Sequence, residues 1–484
     1  MPTLPAIGAA LFVCALLLVF AGRPIPIVIW DEGRIVINAM EMRQSGLSLV
    51  TTHHSRPDLW NTKPPLLVWL MTASMALFGP SEWSLRLPST LASLGTLLLV
   101  MAFVRKISGS LATATFAGIL LAISVGFFGE HGARTADYDA LLCFFTTAYL
   151  LILFFAVHRR RPPAPWVLAA AAMGAGALMT KGIAGAIPGA GLLLYLLFSR
   201  RRGRLWHGPR YILGGILALL PIAIFYVLRE SASPGYLAVS LFNDVGGRFG
   251  KVFNPHPPPP LYYVVATFFS GLFSAGPFAL LAPLGLVVAR GPLRQGLLFA
   301  LCIAGVELAI LSVSATKLSH YYLPAYPFLA IALALAAHAL LRSLAQASRL
   351  SRLATLGMLA LILVRGFAVA IDARQNVLPQ REDYPRTRYG ALIDTLAVMG
   401  HPILVLEGGF PVPDDPAYAP ELQYYRMAAG ERGVKVAQAT DRSAIASTSP
   451  GTILATCDDR FAPLLRPIGV ELAQIPGCIA VESR

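Results

Sequence analysis

The chain has 484 residues, 56% hydrophobic and only 13% charged, whereas soluble domains carry about 25% charged residues. A soluble enzyme is excluded. The net charge of +14 would suit a nucleic-acid binder, but residues 1–371 hold 28 Lys/Arg against 11 Asp/Glu while residues 372–484 hold 11 against 14. Basicity confined to a hydrophobic region with short loops is a topology signal, so no nucleic-acid partner is expected. The composition predicts a helical membrane domain over 1–371 and a slightly acidic soluble domain over 372–484.

Residues 4–22 form an apolar run with no Lys or Arg before it and no small-residue cleavage site after it. This predicts a retained first helix, not a cleaved signal peptide. Residues 30–65 are mixed and polar, with a short amphipathic helix expected over Ile35–Met42 along the interface. Leu66–Phe78 is short for a span and is read as a second interfacial or re-entrant helix. Spans of about the 20 residues needed to cross a bilayer are then expected near 84–104, 111–129, 139–157, 165–180, 183–199, 211–229, 262–289, 296–314, 321–341 and 353–371. With the first helix this makes about eleven. The segment 262–289 contains Gly271, Pro277 and Pro283, and is expected to be one kinked span.

Charge sets the orientation. Alternating the loops puts Arg105, Lys106, Arg159 to Arg161, Arg200 to Arg202, Arg204, Arg210, Arg290, Arg294, Arg342, Arg349 and Arg352 on one side without a single acid. The positive-inside rule makes that side cytoplasmic. The N-terminus is then cytoplasmic, and the acid-bearing loops and the C-terminal domain are external. In that domain, 402–407, 434–437, 451–457 and 478–482 read as strands, and 420–429, 441–447 and 460–467 as helices. Such alternation predicts a small α/β domain with a largely parallel sheet. Cys457 and Cys478 both fall on expected strands of this external domain, where a disulfide would persist.

The polar concentrations of the membrane part, apart from the basic loops, all fall on the external side: Asp31 to Lys63, Glu130 to Asp139, Thr180-Lys181, Glu230 to His256 and Thr316 to Tyr322. Asp31 and Glu32 are adjacent carboxylates with Arg34 beside them, and Lys63 opens a Lys-Pro-Pro turn. Asp139 begins an apolar run, where burying a carboxylate is expensive unless it has a task. Lys181 interrupts an otherwise uncharged stretch, 165–199. Lys317, His320 and Tyr321 crowd the mouth of a helix. The ordinary alternative is that wet loops simply contain charge.

The ordered series Trp30-Asp-Glu-Gly-Arg34, Asn61-Thr-Lys-Pro-Pro65, Arg86-Leu-Pro-Ser89, Thr135 to Leu142, Thr180-Lys-Gly182, Arg248-Phe249, His256 before its prolines and Tyr262-Tyr263, and Lys317 to Pro327 resembles the bacterial polyprenyl-phosphate-dependent glycosyltransferases. That family includes aminoarabinose transferases that modify lipid A and, more distantly, protein O-mannosyltransferases, all with the GT-C fold. The resemblance implies a GT-C membrane domain in the bacterial inner membrane with its active site on the periplasmic face. It also implies transfer of a sugar from a polyprenyl-phosphate carrier to a lipid, glycan or protein hydroxyl. By the same resemblance, Asp31 is the general base, Glu32 assists it or orients an acceptor, and Asp139, with Asp137 as rival, positions the acceptor or stabilises charge on the sugar. Lys63, Arg248 and Tyr321 are implied phosphate contacts, with Arg34, Lys317 and His320 as second choices, and Lys181 and His256 as further binding residues. The aminoarabinose enzymes have Glu near a metal immediately before this Lys. Here Thr62 stands there, so catalysis without an essential metal or other cofactor is expected, by a monomer. A lipid-carrier flippase and an oligosaccharide ligase are the alternative functions.

Overall fold

The computed structural model describes residues 3–22, 25–27, 31–159, 162–199, 208–247, 250, 261–344, 349–379, 385–412, 415–472 and 475–483. Trp30, Arg248, Phe249, His256 and the arginines at 160–161, 200–202 and 204 lie outside them. Packing groups the chain into two units. The first is Met1–Arg23, Pro57–Leu67 and Arg86–Gln375; the second is Pro24–Arg56, Val68–Leu85 and Asn376–Arg484. The second unit thus takes in segments well before residue 372.

The first unit is a helical membrane body. Among the described residues, eight helices are long and apolar enough to span: Leu4–Ala21, Glu82–Ser108, Tyr138–Val157, Ala164–Gly185, Pro209–Ala232, Gly291–Val313, Ser319–Leu344 and Arg349–Val377. Three other expected spans are shorter than anticipated. Leu111–Ala122 and Ile187–Phe198 are 12-residue helices, and 262–289 is a chain of short helical pieces rather than one kinked span. The reason lies in its residues. Gly271 takes a left-handed φ of 92°, and Pro277 and Pro283 lack the amide hydrogen that a continuing helix needs.

Ser319–Leu344 is the central element of this body, with 89% of its apolar window buried. Tyr326–Leu344 within it packs on Leu111–Ala122 and Gly291–Val313. Gly291–Val313 in turn lies against Ile187–Phe198, where a Cβ added at Gly191 would come within 2.5 Å of the Ile303 backbone. Without a hydrophobic drive between helices in lipid, such close backbone approach supplies much of the association. Glu307 rides on the same helix and is 2% exposed.

The second unit joins a buried helix, Asp31–Ser45, to an α/β fold. This helix begins earlier than expected from its amphipathic stretch, and residues 32–42 are buried on every face. It packs on Pro420–Glu431, and Arg43 bonds the Glu431 carboxylate at 3.2 Å and the Met75 carbonyl at 3.0 Å. The hydroxyl of Tyr425 accepts from the Ile27 N–H at 3.1 Å and donates to Glu82 at 3.0 Å. The strands are β1 (Thr52–His53), β2 (Arg56–Pro57), β3 (Ile403–Leu406), β4 (Phe410–Val412), β5 (Asp415–Tyr418), β6 (Val436–Ala439), β7 (Ile453–Thr456) and β8 (Ile479–Glu482). The main sheet runs β6-β3-β7-β8. Its first three strands are parallel and β8 is antiparallel, close to the expected α/β domain. Cys457 and Cys478 are joined by a disulfide. The helix Tyr389–Ala397 and the β4–β5 hairpin are additions to the expected elements.

Candidate active site

In the membrane body, Asp139 is the second residue of Tyr138–Val157, a helix capped by Asp137, whose side chain accepts from the Tyr138 N–H at 2.6 Å. Asp139 is 1% exposed. Its two oxygens accept from Lys181 Nζ at 2.7 and 2.6 Å. Lys181 closes the helix Ala164–Lys181, and its ammonium lies 5.3 Å from the centre of the Tyr321 ring. Two residues that are costly to bury singly are therefore buried as a pair.

A second pair faces the same cavity. Lys63 Nζ contacts the Asp244 carboxylate and donates to Thr62 Oγ1 at 3.3 Å. Thr62 Oγ1 donates to the other Asp244 oxygen at 2.9 Å. The loop is fixed from both sides: Tyr236 OH donates to the Thr62 carbonyl at 2.6 Å, and Asn61 exchanges hydrogen bonds with Tyr138 OH at 2.9 and 3.2 Å. Asp244 has no motif of its own. Its one sequence signal is its place in the polar stretch 230–256.

Lys63, Asp244, Asp139, Lys181, Tyr321 and Glu307 line this cavity with Ile183, Ile187 and Leu311 as apolar wall. Glu307 Oε2 is buried and makes no hydrogen bond in the described structure. An unmet buried carboxylate oxygen costs on the order of 1–3 kcal/mol, and ionisable groups inside a membrane segment mark function by default. The cavity therefore presents two cations, each held by a carboxylate, and one further acid. It offers cations, carboxylates and an aromatic hydroxyl beside an apolar wall.

The rival carboxylate has a different setting. Asp137 contacts His131 Nδ1, and its backbone carbonyl accepts from Ser89 Oγ at 3.1 Å. Burial pushes the Asp137 pKa up, but the His131 charge and hydrogen bond outweigh it and hold the carboxyl below its usual value. His131 stacks on His320, with ring centres 3.8 Å apart. Lys317 is 8% exposed and donates to the Ser314 carbonyl. Asp137, Lys317 and His320 are not among the cavity-lining residues, whereas Asp139 and Tyr321 are.

Asp31, Glu32 and Arg34 belong to the other packing unit, in the first turn of Asp31–Ser45. Carboxylates there meet the positive end of the helix dipole. Arg34 is 1% exposed and lies 5.7 Å from the Tyr418 ring centre. The structure thus brings Lys63, Asp139, Lys181 and Tyr321 around one cavity of the first unit; within the second unit, Asp31, Glu32 and Arg34 share the first turn of one helix.

The metal expected beside Lys63 in the aminoarabinose enzymes does not fit the residues found here. Thr62 is neutral and donates to Asp244, and the Lys63 ammonium occupies the same carboxylate. Elsewhere in the body, His131, Asp137 and Asp139 offer ligand atoms within 4.8 Å of one another. His131 and Lys181 already satisfy both carboxylates.

Residues 62–227 match the family model described as dolichyl-phosphate-mannose-protein mannosyltransferase. Over 333 residues the chain is 31% identical to the undecaprenyl phosphate-alpha-4-amino-4-deoxy-L-arabinose arabinosyl transferase of Pseudomonas savastanoi pv. phaseolicola, covering 68% of this chain and 60% of that protein. Over 288 residues it is 28% identical to the protein of the same name from Pseudomonas aeruginosa, covering 58% and 50%. The chain therefore spans between half and three fifths of the length of these relatives. Among solved structures, ArnT from Cupriavidus metallidurans bound to undecaprenyl phosphate matches with a TM-score of 0.68 at 18% identity, covering 99% of this chain and 97% of that one. The archaeal oligosaccharyltransferase AglB from Archaeoglobus fulgidus matches with a TM-score of 0.52 at 12% identity, covering 94% and 69%. At such identities these likenesses establish the fold. Residues 62–227 thus carry a segment of that mannosyltransferase family, and the multi-pass membrane chain has the fold of ArnT.

Proposed function

We propose that the chain moves a sugar from a polyprenyl-phosphate donor of the undecaprenyl type to a lipid, glycan or protein hydroxyl on the external face of the inner membrane. The observation that carries this reading is the cavity in which Lys63 and Lys181 face the same space, each held on a carboxylate, within a GT-C fold. A lipid phosphate leaving a sugar needs cations where its charge develops. Lys63 is the proposed phosphate contact, and the incoming phosphate competes with Asp244 for its ammonium. Asp139, fixed by Lys181, is the proposed partner for the sugar and for positive charge at its anomeric carbon.

Asp31 is the proposed general base, with Glu32 assisting. The acceptor hydroxyl attacks the anomeric carbon and its proton passes to Asp31. The bond from that carbon to the phosphate oxygen breaks with its electrons retained by the phosphate, and configuration inverts. Arg248, Tyr321, Lys317, His320, Arg34 and His256 are the proposed further contacts to phosphate or sugar. No step needs a bound metal. The all-basic loops support a cytoplasmic N-terminus and a periplasmic C-terminal domain, and the enzyme is proposed to act as a monomer.

Mass spectrometry of lipid A, glycans and surface proteins from cells with and without the chain identifies the transferred sugar and its acceptor. Asp31→Asn is expected to insert and fold while transfer falls about a hundredfold or more, the scale of a lost general base. Undiminished turnover in that variant would refute Asp31 as base. Movement of labelled carrier across vesicles without covalent transfer would instead favour a flippase.

A further inference from the structure

Outside the cavity, the second unit gathers three metal-ligating side chains from distant parts of the chain. His53 ends β1, and His54 opens the turn to β2. Successive strand residues point to opposite faces, so adjacent histidines do not ordinarily serve one partner. Here His54 and Ser55 both take left-handed φ, at 52° and 60°. A two-residue hairpin turn of this hand usually uses Asn-Gly, and other residues pay on the order of 1–2 kcal/mol each for it. The turn is pinned to the helix Asp31–Ser45. Asn38 Nδ2 donates to the Thr52 carbonyl at 2.6 Å, and the Ser55 N–H reaches both Glu41 oxygens at 3.3 and 3.2 Å.

The left-handed turn directs His54 toward the partner that His53 also approaches. His54 Nε2 lies 2.9 Å from Asp415 Oδ2, and the two imidazole centres are 4.2 Å apart. One donor atom from each of His53, His54 and Asp415 lies within 4.8 Å of the others. His53 is 5% exposed, and the Asp415 side chain is 10% exposed, whereas that of His54 is 53% exposed. Two donors are thus fixed by packing and the third is free to adjust. Asp415 Oδ1 accepts from the Ala417 N–H at 3.0 Å, the kind of outer contact that orients a metal-binding carboxylate.

We propose that His53, His54 and Asp415 bind a divalent cation of the zinc class. Two imidazoles and a carboxylate suit such borderline cations, with water as the fourth ligand. Zinc bonds of about 2.0–2.2 Å in a tetrahedron set donor atoms about 3.4 Å apart, within the 4.8 Å that bounds the three donors, and the exposed His54 has room to adjust. None of the three side chains is among those that line the cavity around Lys63. The site fastens the turn after the Asp31 helix to the β4–β5 hairpin, all within one packing unit.

The test uses the full chain without an affinity tag, in detergent, freed of metal with a chelator and titrated calorimetrically with zinc chloride. His54→Gln and Asp415→Asn are measured beside it. The wild type is expected to bind one more equivalent than either variant, or to bind it at least about tenfold more tightly, and zinc is expected to raise its unfolding temperature but not theirs. The exposed His54 leaves the metal-free unfolding temperature of His54→Gln at the wild-type value, which separates lost binding from lost folding. Equal zinc binding by all three proteins, including none at all, overturns the proposal.

Discussion

At the scale of single residues, Asp139 and Lys181 form the most consequential pair in the membrane body. Their side chains are 2% and 11% exposed, so neither is solvated without the other. Removing one partner of a buried pair costs about 3–5 kcal/mol, whereas replacing both by apolar groups is often neutral. Lys181→Met is therefore expected to lower the unfolding temperature in detergent sharply. Adding Asp139→Leu should restore it. If the pair serves transfer as proposed, the double variant remains inactive despite its recovered stability. Equal losses of stability in the single and double variants would show that the pair is not buried as a unit.

Asp458 offers a second residue-level case, outside the membrane. Burial raises its pKa, but hydrogen bonds and charge from Arg460 outweigh this and hold the carboxyl at about 2. Arg460 Nε lies 2.9 and 3.0 Å from its oxygens. A carboxyl held below its unfolded value of about 3.9 stabilises the fold at all pH values above that value and loses the contribution as pH falls toward 2. Hydrogen exchange in β7 and β8 should accordingly rise between about pH 4 and 2 beyond its intrinsic acid trend. In Arg460→Ala, where the carboxyl returns toward or above its unfolded value, that rise should shrink or disappear. An unchanged profile would mean that Arg460 does not depress this carboxyl.

At the scale of elements, the disulfide links the residue after β7 to the residue before β8, adjacent antiparallel strands that already pair from Ile453 to Thr456. The 21-residue separation predicts about 3 kcal/mol of stabilisation from restriction of the unfolded chain. Cys457→Ala with Cys478→Ala should lower the unfolding temperature of this unit and leave the sheet order intact. Retention of the full temperature would indicate that sheet pairing alone suffices. The broken segment 262–289 teaches the converse lesson about local signals. Its apolar length suggested a span, yet Gly271 and two prolines fragment it into short helical pieces. Apolar composition establishes that a segment can be buried in lipid or protein, but only backbone hydrogen bonding decides whether it is one helix.

For the whole molecule, the loop charges support the proposed orientation in the membrane. Alkaline phosphatase fused after Leu378 is expected to be active in the periplasm, and the same enzyme fused after Lys106 to be inactive in the cytoplasm. The reverse pattern would overturn the proposed orientation and with it the external site.

Much of this was legible in the sequence because the determining physics is local. A run of apolar residues long enough to cross a bilayer announces itself, as at 138–157 and 291–313, and strand–helix alternation announced the sheet over 403–482. Asp139 and Lys181 stood out because charge is expensive in apolar stretches, Lys63 because it opens a Lys-Pro-Pro turn, and Tyr321 because polar residues crowd the mouth of its helix. Asp244 did not stand out, since an acid in a polar loop is ordinary until Lys63 and Thr62 close on it. The same holds for His53, His54 and Asp415, whose convergence depends on two left-handed residues and a hairpin more than 350 positions away. The sequence by itself determined the membrane class, the GT-C resemblance and the polar residues worth watching, because hydropathy and charge act residue by residue. Only the tertiary structure decided which carboxylate holds which cation, that 24–56 and 68–85 pack with 376–484, and where 262–289 breaks. Those outcomes depend on contacts between distant segments, whose energies no local pattern encodes.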